Sequence, residues 1–237
     1  MKRKYIIVLV IIFFILLIVR IFTTNNKHSS SINNPNVIRY VAIGDSYTIG
    51  DGVTEDQRWP NLLANHLQES GIPVSMVANP SVTGWTSEQA LEQELPLYDQ
   101  SNPEFATLMI GVNDWVQGVS PSDFRANMSQ LLDKMQAKLA QKNHLLVITI
   151  PDFSATPTGK AFADGRDISA GVAQFNVIIK EEAKKRGLSV VDIYPLTQQM
   201  AGHPELINPD GLHPSPKEYV LWEQLLFPVA KKLLKNK

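Results

Sequence analysis

The stretch that decides the fold is VIRYVAIGDSYT, residues 37–48. Its first seven residues are mostly aliphatic and β-branched, which predicts a strand over 37–43. Gly44 then ends the strand, and Asp45 and Ser46 have the side chains of a tight turn or a helix N-cap. A strand that passes through a polar turn into a helix is the opening unit of an α/β domain.

The same alternation of apolar, β-rich runs and helical patterns continues along the chain. Further strands are predicted over 74–78, 105–110, 145–150 and 188–193, and helices over 59–69, 87–95, 120–142, 169–186 and 216–234. Five strands separated by helices predict an α/β fold, a three-layer α/β/α sandwich around a five-stranded parallel sheet. Its active site should lie beyond the C-terminal ends of the strands, where the long loop over 151–167 is expected to cover or shape it.

An apolar segment opens the chain and allows two interpretations. Residues 5–19 are uninterruptedly apolar, three basic residues precede them, and Ile21 and Phe22 extend the run beyond Arg20. We favour an uncleaved transmembrane helix over 1–22 and a linker over 23–36, because the first small-residue triplet, 29–31, lies too far downstream for cleavage. The basic start would place the domain over 37–237 outside the cytoplasm, held to the membrane through residues 5–22. The alternative is a cleaved signal peptide and a secreted protein.

Composition excludes several classes of protein. The chain has 237 residues and a formal net charge of −1. Positions 1–27 contain five basic residues and no acidic residue. The remaining 17 basic and 23 acidic residues leave the rest near −6, which argues against a nucleic-acid partner. The absence of cysteine excludes disulfides, cysteine-ligated zinc and a thiol nucleophile.

Two motifs supply a candidate nucleophile and base. Ser46 lies on a strand-to-helix turn, where its hydroxyl can be exposed beside free helix N–H groups, although a simple helix cap is the structural alternative. Near the C-terminus, Asp210 precedes His213 by three residues and can reach the far imidazole nitrogen, which would fix its tautomer. A solvated Asp-Gly turn is the alternative there. No other histidine has an acidic residue at comparable spacing on a strand-end loop.

An acyl-transfer site also needs donors for a developing oxyanion. Asn113 offers a side-chain amide on the loop after the third strand, and Gly84 offers an N–H on the loop after the second. The Ser46 N–H is a third donor. Each position alone is also typical of an ordinary turn, so the argument is joint: the elements fall on four loops at one end of the predicted sheet.

These residues, in this order, resemble the GDSL esterase/lipase family, the SGNH hydrolases. The matching blocks are Gly44-Asp45-Ser46, Gly84, Gly111-Val112-Asn113-Asp114 and Asp210-Gly211-Leu212-His213, spread over residues 44–213. The family pattern usually has Leu after the serine, where this chain has Tyr47.

The resemblance implies a flavodoxin-like SGNH hydrolase fold and a role for each matching residue. Ser46 would be the nucleophile, His213 the general base and then acid, and Asp210 the residue that orients His213. The Ser46 N–H, the Gly84 N–H and the Asn113 side chain would form the oxyanion hole. The family uses neither a metal nor a cofactor, and we expect none here.

Two tryptophans directly follow oxyanion-loop residues. We hypothesise that Trp85 and Trp115 flank the site and form part of the substrate surface. The alternative is ordinary packing of large aromatic side chains.

The expected function is a serine esterase that hydrolyses carboxylic esters of small molecules, glycans or lipids. Short acyl esters, acetylated carbohydrates and lysophospholipid-like esters are the candidate substrates. Two alternatives keep the fold: an extracytoplasmic O-acyltransferase that acts on cell-wall glycan, and a non-catalytic surface-binding domain.

Overall fold

A computed structural model describes residues 36–235, and the compact unit begins at Ile38. Within this part of the chain the strands are β1 Ile38–Gly44, β2 Val74–Ala78, β3 Phe105–Met109, β4 Leu145–Ile148 and β5 Ser189–Val191. All neighbouring strands are parallel, in the order β2-β1-β3-β4-β5. The predicted five-stranded parallel sheet is therefore confirmed.

Helices connect the strands. They are α1 Ser46–Ile49, α2 Trp59–Glu69, α3 Ser87–Gln89, α4 Leu95–Gln100, α5 Val112–Val116, α6 Pro121–Lys138, α7 Ile168–Lys185, α8 Tyr194–Thr197 and α9 Pro216–Lys235. A π-helical turn, Ala90–Glu94, joins α3 to α4, so the segment predicted to end at residue 95 continues to Gln100. Short 3₁₀ turns lie over Glu55–Gln57, Phe153–Ala155, Gly159–Phe162, Gln198–Met200 and Pro204–Leu206.

Several elements are shorter than their apolar patterns predict, among them β5, which covers Ser189–Val191 and not 188–193. In two cases, side chains take over the backbone groups beyond the end of the element. The helix predicted over 120–142 ends at Lys138, where the Lys142 ammonium donates to the carbonyls of Gln136, Ala137 and Leu139 at 2.8–2.9 Å. The strand predicted over 145–150 ends at Ile148. Beyond it, the Asn176 side chain pairs with both the N–H and the carbonyl of Ile150.

The sheet lies inside the domain. Every residue of β3 and β4 is buried, and successive side chains of a strand point to opposite faces, so helices cover both faces of the sheet. Helix α2 packs against α9, and α6 packs against α7. A parallel sheet of this kind presents the carboxyl ends of its strands, and the loops that follow them, at one edge.

The predicted anchor over 1–22, and the linker as far as residue 35, lie outside the described residues. Within residues 36–235, no helix combines the length and the apolar character needed to cross a membrane.

Candidate active site

The turn after β1 presents Ser46 at the start of a helix. Ser46 is the first residue of α1, and the Asp45 carboxylate caps this helix by accepting the Tyr47 N–H at 3.0 Å. A side chain at position 44 would collide with the Thr48 side chain and the Met109 carbonyl, so only glycine fits there. Local sequence therefore places the Ser46 hydroxyl and its own N–H on one rigid turn.

The turn before α9 joins His213 to Asp210. Asp210 Oδ2 lies 2.6 Å from His213 Nδ1, and Asp210 Oδ1 accepts the N–H groups of Leu212 and His213 at 2.8 and 3.0 Å. Partial burial alone would raise the pKa of the Asp210 carboxyl. The hydrogen bonds from the His213 ring and from the two amides outweigh it and hold that pKa below its ordinary value. The carboxylate is therefore charged at neutral pH and faces the imidazole.

The other ring nitrogen of His213 is available for chemistry. His213 Nε2 is buried and has no hydrogen-bond partner within residues 36–235, so no bond to Ser46 Oγ is formed in this structure. In unliganded enzymes this catalytic bond is often long and tightens when substrate binds.

Tyr47 connects the turn that carries His213 to the turn that carries Ser46, which we call the nucleophile turn. Its ring centroid lies 5.1 Å from that of His213 and 6.3 Å from that of Trp222, and its carbonyl accepts bonds from the side chains of Trp59 and Tyr219. The sequence shows Tyr47 only as a departure from the family pattern and predicts no role for it. Its position next to Ser46 is the one feature of the sequence that indicates a role.

Asn113 links two further loops to the nucleophile turn. Its Nδ2 donates to the Trp85 carbonyl at 3.0 Å and more weakly to Asp45 Oδ2 at 3.4 Å. Gly84 has a positive φ of 83°, lies exposed, and is held through its carbonyl by Gln117. The structure thus brings together the three loops that carry the predicted oxyanion donors.

Two buried acids brace these loops. Burial raises the pKa of Asp45 to about 7, with Asp114 and Asp51 adding to the shift and the Tyr47 N–H opposing it. Burial also raises the pKa of Asp114, although Ser87 bonds it through both its N–H (2.8 Å) and its hydroxyl. The hydrogen bonds of both acids connect residues of these loops.

The long loop after β4 contacts two parts of this edge. Thr158 donates its N–H to the Gly211 carbonyl and its hydroxyl to the Asp210 carbonyl, each at 2.9 Å. Arg166 stacks 4.0 Å from the Trp115 ring centroid and donates to the Trp115 carbonyl. The loop therefore binds the turn that carries Asp210 through hydrogen bonds and also packs on α5. No local pattern in the sequence indicated the Thr158 contacts.

The two tryptophans have different surroundings. Trp85 is half-buried, whereas Trp115 is only 6% exposed and packs edge-on against Phe153. A side chain at Gly171 would overlap the Trp115 indole, which shows how tightly α7 lies on it. For Trp115 the structure favours packing over a place on the substrate surface.

No group of three or more acidic or histidine side chains within residues 36–235 is arranged to hold a metal ion. The chemistry available at this edge of the sheet is that of a serine hydroxyl, an imidazole bonded to a carboxylate, and several N–H donors.

Comparison with known proteins identifies the family of the chain. The family model described as "GDSL-like Lipase/Acylhydrolase family" matches residues 42–221. An arylesterase of Vibrio mimicus is 25% identical over 179 residues, covering 76% of this chain and 81% of that protein. The thioesterase 1/protease 1/lysophospholipase L1 of Escherichia coli (strain K12) is 24% identical over 173 residues, covering 73% of this chain and 74% of that protein.

The fold is shared with solved structures. The lipase/acylhydrolase from Enterococcus faecalis superposes with a TM-score of 0.68 at 21% identity, covering 83% of this chain and 96% of that one. This likeness shows the α/β fold of the SGNH hydrolases, and the family model spans most of the chain. The chain therefore belongs to the GDSL-like lipase/acylhydrolase family and is a hydrolase that acts on ester bonds.

Proposed function

We propose that this hydrolase cleaves small carboxylic esters through an acyl-enzyme formed on Ser46. One observation carries the proposal. His213 engages Asp210 through Nδ1 at 2.6 Å, keeps Nε2 unpartnered within residues 36–235, and packs against Tyr47, the neighbour of Ser46. An imidazole oriented in this way can take the proton of an adjacent serine.

In the first step, Ser46 Oγ attacks the ester carbonyl carbon and its proton passes to His213 Nε2. The carbonyl electron pair moves to oxygen, and the charged imidazolium is stabilised by Asp210. When the tetrahedral intermediate collapses, the proton on Nε2 goes to the leaving alcohol oxygen, and the acyl group remains on Ser46. Water then repeats the sequence, with His213 as base, and releases the acid.

The oxyanion would accept bonds from the Ser46 N–H, the Gly84 N–H and the Asn113 amide. Each such donor contributes about 3 kcal/mol to stabilising the transition state. The Asn113 contact that a developing oxyanion can replace is the weaker one, 3.4 Å to Asp45, while its 3.0 Å bond to the Trp85 carbonyl keeps the amide in place.

We propose short acyl esters, acetylated carbohydrates or lysophospholipid-like esters as the substrates. The names of the relatives, an arylesterase and a thioesterase 1/protease 1/lysophospholipase L1, support an ester or thioester substrate. The loop over 151–167 contains two short 3₁₀ turns and no long apolar helix that could serve as a lid for bulk lipid. The relatives are named as enzymes, so a non-catalytic binding domain has no support among these observations.

The test compares the full 237-residue protein with Ser46→Ala and Ser122→Ala, the latter an exposed serine on α6 as the matched control. We expect p-nitrophenyl acetate, butyrate or octanoate to be hydrolysed by the parent and the Ser122 variant but not by the Ser46 variant. A fluorophosphonate probe should label the same two proteins. Hydrolysis by Ser46→Ala would contradict the proposal. Acyl transfer to an added glycan in preference to water would instead identify an O-acyltransferase.

We also propose that residues 5–22 anchor the enzyme in a membrane, with the catalytic domain outside the cytoplasm. The apolar run behind three basic residues supports this orientation. Cell fractionation with a C-terminal tag checks it. A tagged protein found only in the medium, shortened at its N-terminus, would show secretion instead.

A further inference from the structure

The carboxyl group of Glu94 is buried next to the turn that carries Ser46. Glu94 is 0% exposed and ends the π-helical turn, in which the Leu95 N–H donates to the Ala90 carbonyl five residues earlier. Such a widened turn inserts one extra residue into a helix, and π-turns are frequent at functional sites. Neither the esterase chemistry nor the packing of the core requires an acid at this position.

Glu94 touches the nucleophile turn through one hydrogen bond. Its Oε2 accepts the N–H of Gly44 at 3.1 Å, while Oε1 is buried and has no partner within residues 36–235. No ion pair joins Glu94 to a basic residue in that range. Burial raises the pKa of Glu94 to about 9, and nearby Asp45 adds to the shift, so the side chain is uncharged near neutral pH.

Gly44 is constrained on its other sides. It is the last residue of β1, paired in register with Met109 of β3, and a Cβ there would collide with the Met109 carbonyl and the Thr48 side chain. The hydrogen bond that Gly44 donates to Glu94 adds a constraint from the segment that joins α3 to α4. Gly44 precedes Ser46 by only two residues, so a shift of Gly44 moves the Ser46 hydroxyl and N–H together.

A buried polar group with an unsatisfied atom costs free energy, and local rules are usually broken at functional sites. We infer that Glu94 is a positioning residue for the nucleophile: its buried carboxyl accepts the Gly44 N–H and thereby sets the placement of Ser46. This inference rests on the proposed role of Ser46. It adds a residue that touches neither substrate nor the reacting atoms.

The kinetic signature follows from this geometry. Attack by the hydroxyl and stabilisation of the oxyanion by the N–H both belong to the transition state, so misplacing Ser46 lowers kcat and leaves KM nearly unchanged. A displacement of about 1 Å can cost about 100-fold in rate. A residue needed only for stability would lower Tm without changing the kcat of the folded enzyme.

The experiment uses the full chain and p-nitrophenyl acetate, with kcat, KM and Tm measured for each variant. Glu94→Leu removes the acceptor at similar volume, and we expect kcat to fall about 10- to 100-fold with KM within about twofold. Glu94→Gln keeps a neutral acceptor and should restore kcat to within about twofold of the parent. Glu94→Asp withdraws the carboxyl by one methylene and should fall between the two.

Glu223 provides the matched control, since it is another buried carboxyl with one side-chain partner, His66, at 2.9 Å. Glu223→Leu should lower Tm and keep kcat.

Three outcomes would overturn the inference. They are a parent-like kcat in folded Glu94→Leu, a kcat in Glu94→Gln as low as that of Glu94→Leu, or an equal loss of kcat in Glu223→Leu. Should Glu94→Leu not fold, parent-like kcat in Glu94→Asp overturns it. Activity in Ser46→Ala, run alongside, would instead remove the proposed nucleophile itself.

Discussion

Replacing Asp210 with asparagine removes the charge that faces His213 while keeping the shape of the side chain. The asparagine oxygen can still accept the Leu212 and His213 amides, so the turn should persist. The new amide would point an N–H at Nδ1, which favours the tautomer with its proton on Nε2. That nitrogen could then no longer accept the proton of Ser46.

The size of the effect follows from the contact that is lost. A hydrogen bond to a charged group contributes about 1.5–3 kcal/mol, and about 1.4 kcal/mol corresponds to tenfold in rate, so kcat should fall about 10- to 100-fold. The same change costs about 10⁴-fold where the acid is fully buried. Here the Asp210 side chain is 39% exposed, so water can partly replace the carboxylate and the loss should stay below that limit.

The assay measures kcat and KM on p-nitrophenyl acetate between about pH 5 and 9, with circular dichroism to confirm folding. Asp99→Asn, at an exposed acid on α4, serves as the control for loss of one negative charge. We expect Asp210→Asn to lower kcat with KM little changed, and to retain more activity than Ser46→Ala. Full activity of Asp210→Asn across the pH range would refute the assignment of Asp210 as the orienting acid.

Three further predictions concern stability, and the last of them also concerns substrate binding. Asp45→Asn should raise Tm near pH 8 but not near pH 4. The folded-state pKa of Asp45 is about 7, so ionisation of this side chain opposes folding increasingly as the pH rises from 4 to 8. Thermal melts in which the effect of the substitution does not depend on pH would contradict this prediction. Glu182→Gln should lose up to about 3 kcal/mol at neutral pH. Burial opposes ionisation of Glu182, but hydrogen bonds from Lys185, Arg125 and Arg186 outweigh it and lower the pKa of Glu182 to about 2. In urea titrations, the loss of unfolding free energy in Glu182→Gln should therefore shrink as the pH falls from about 4.5. A loss that stays constant with pH would refute this prediction. Trp115→Ala should cost about 3–5 kcal/mol in unfolding free energy with nearly unchanged KM across the p-nitrophenyl series, whereas a KM that rises with acyl length would restore it to the substrate surface.

Much of the fold was predictable because its signals are local. The strand-to-helix stretch over 37–48 and the alternation that follows correctly predicted the parallel sheet. The Asp210–His213 contact was also predictable from local sequence, because a spacing of three residues in a turn allows a carboxylate to reach the imidazole. Element ends were less predictable, because the Lys142 and Asn176 side chains replace backbone partners there.

The sequence by itself determined the α/β alternation, the order of the candidate site residues along the chain, and the absence of cysteine chemistry. Only the tertiary structure decided that Trp115 is buried, that Thr158 clamps the acid turn, and that Glu94 bonds to Gly44 across 50 positions of sequence. The physical reason is that these contacts depend on which strands become neighbours in the order β2-β1-β3-β4-β5 and on how the helices pack on them. No periodicity or short motif along the chain records such long-range pairings.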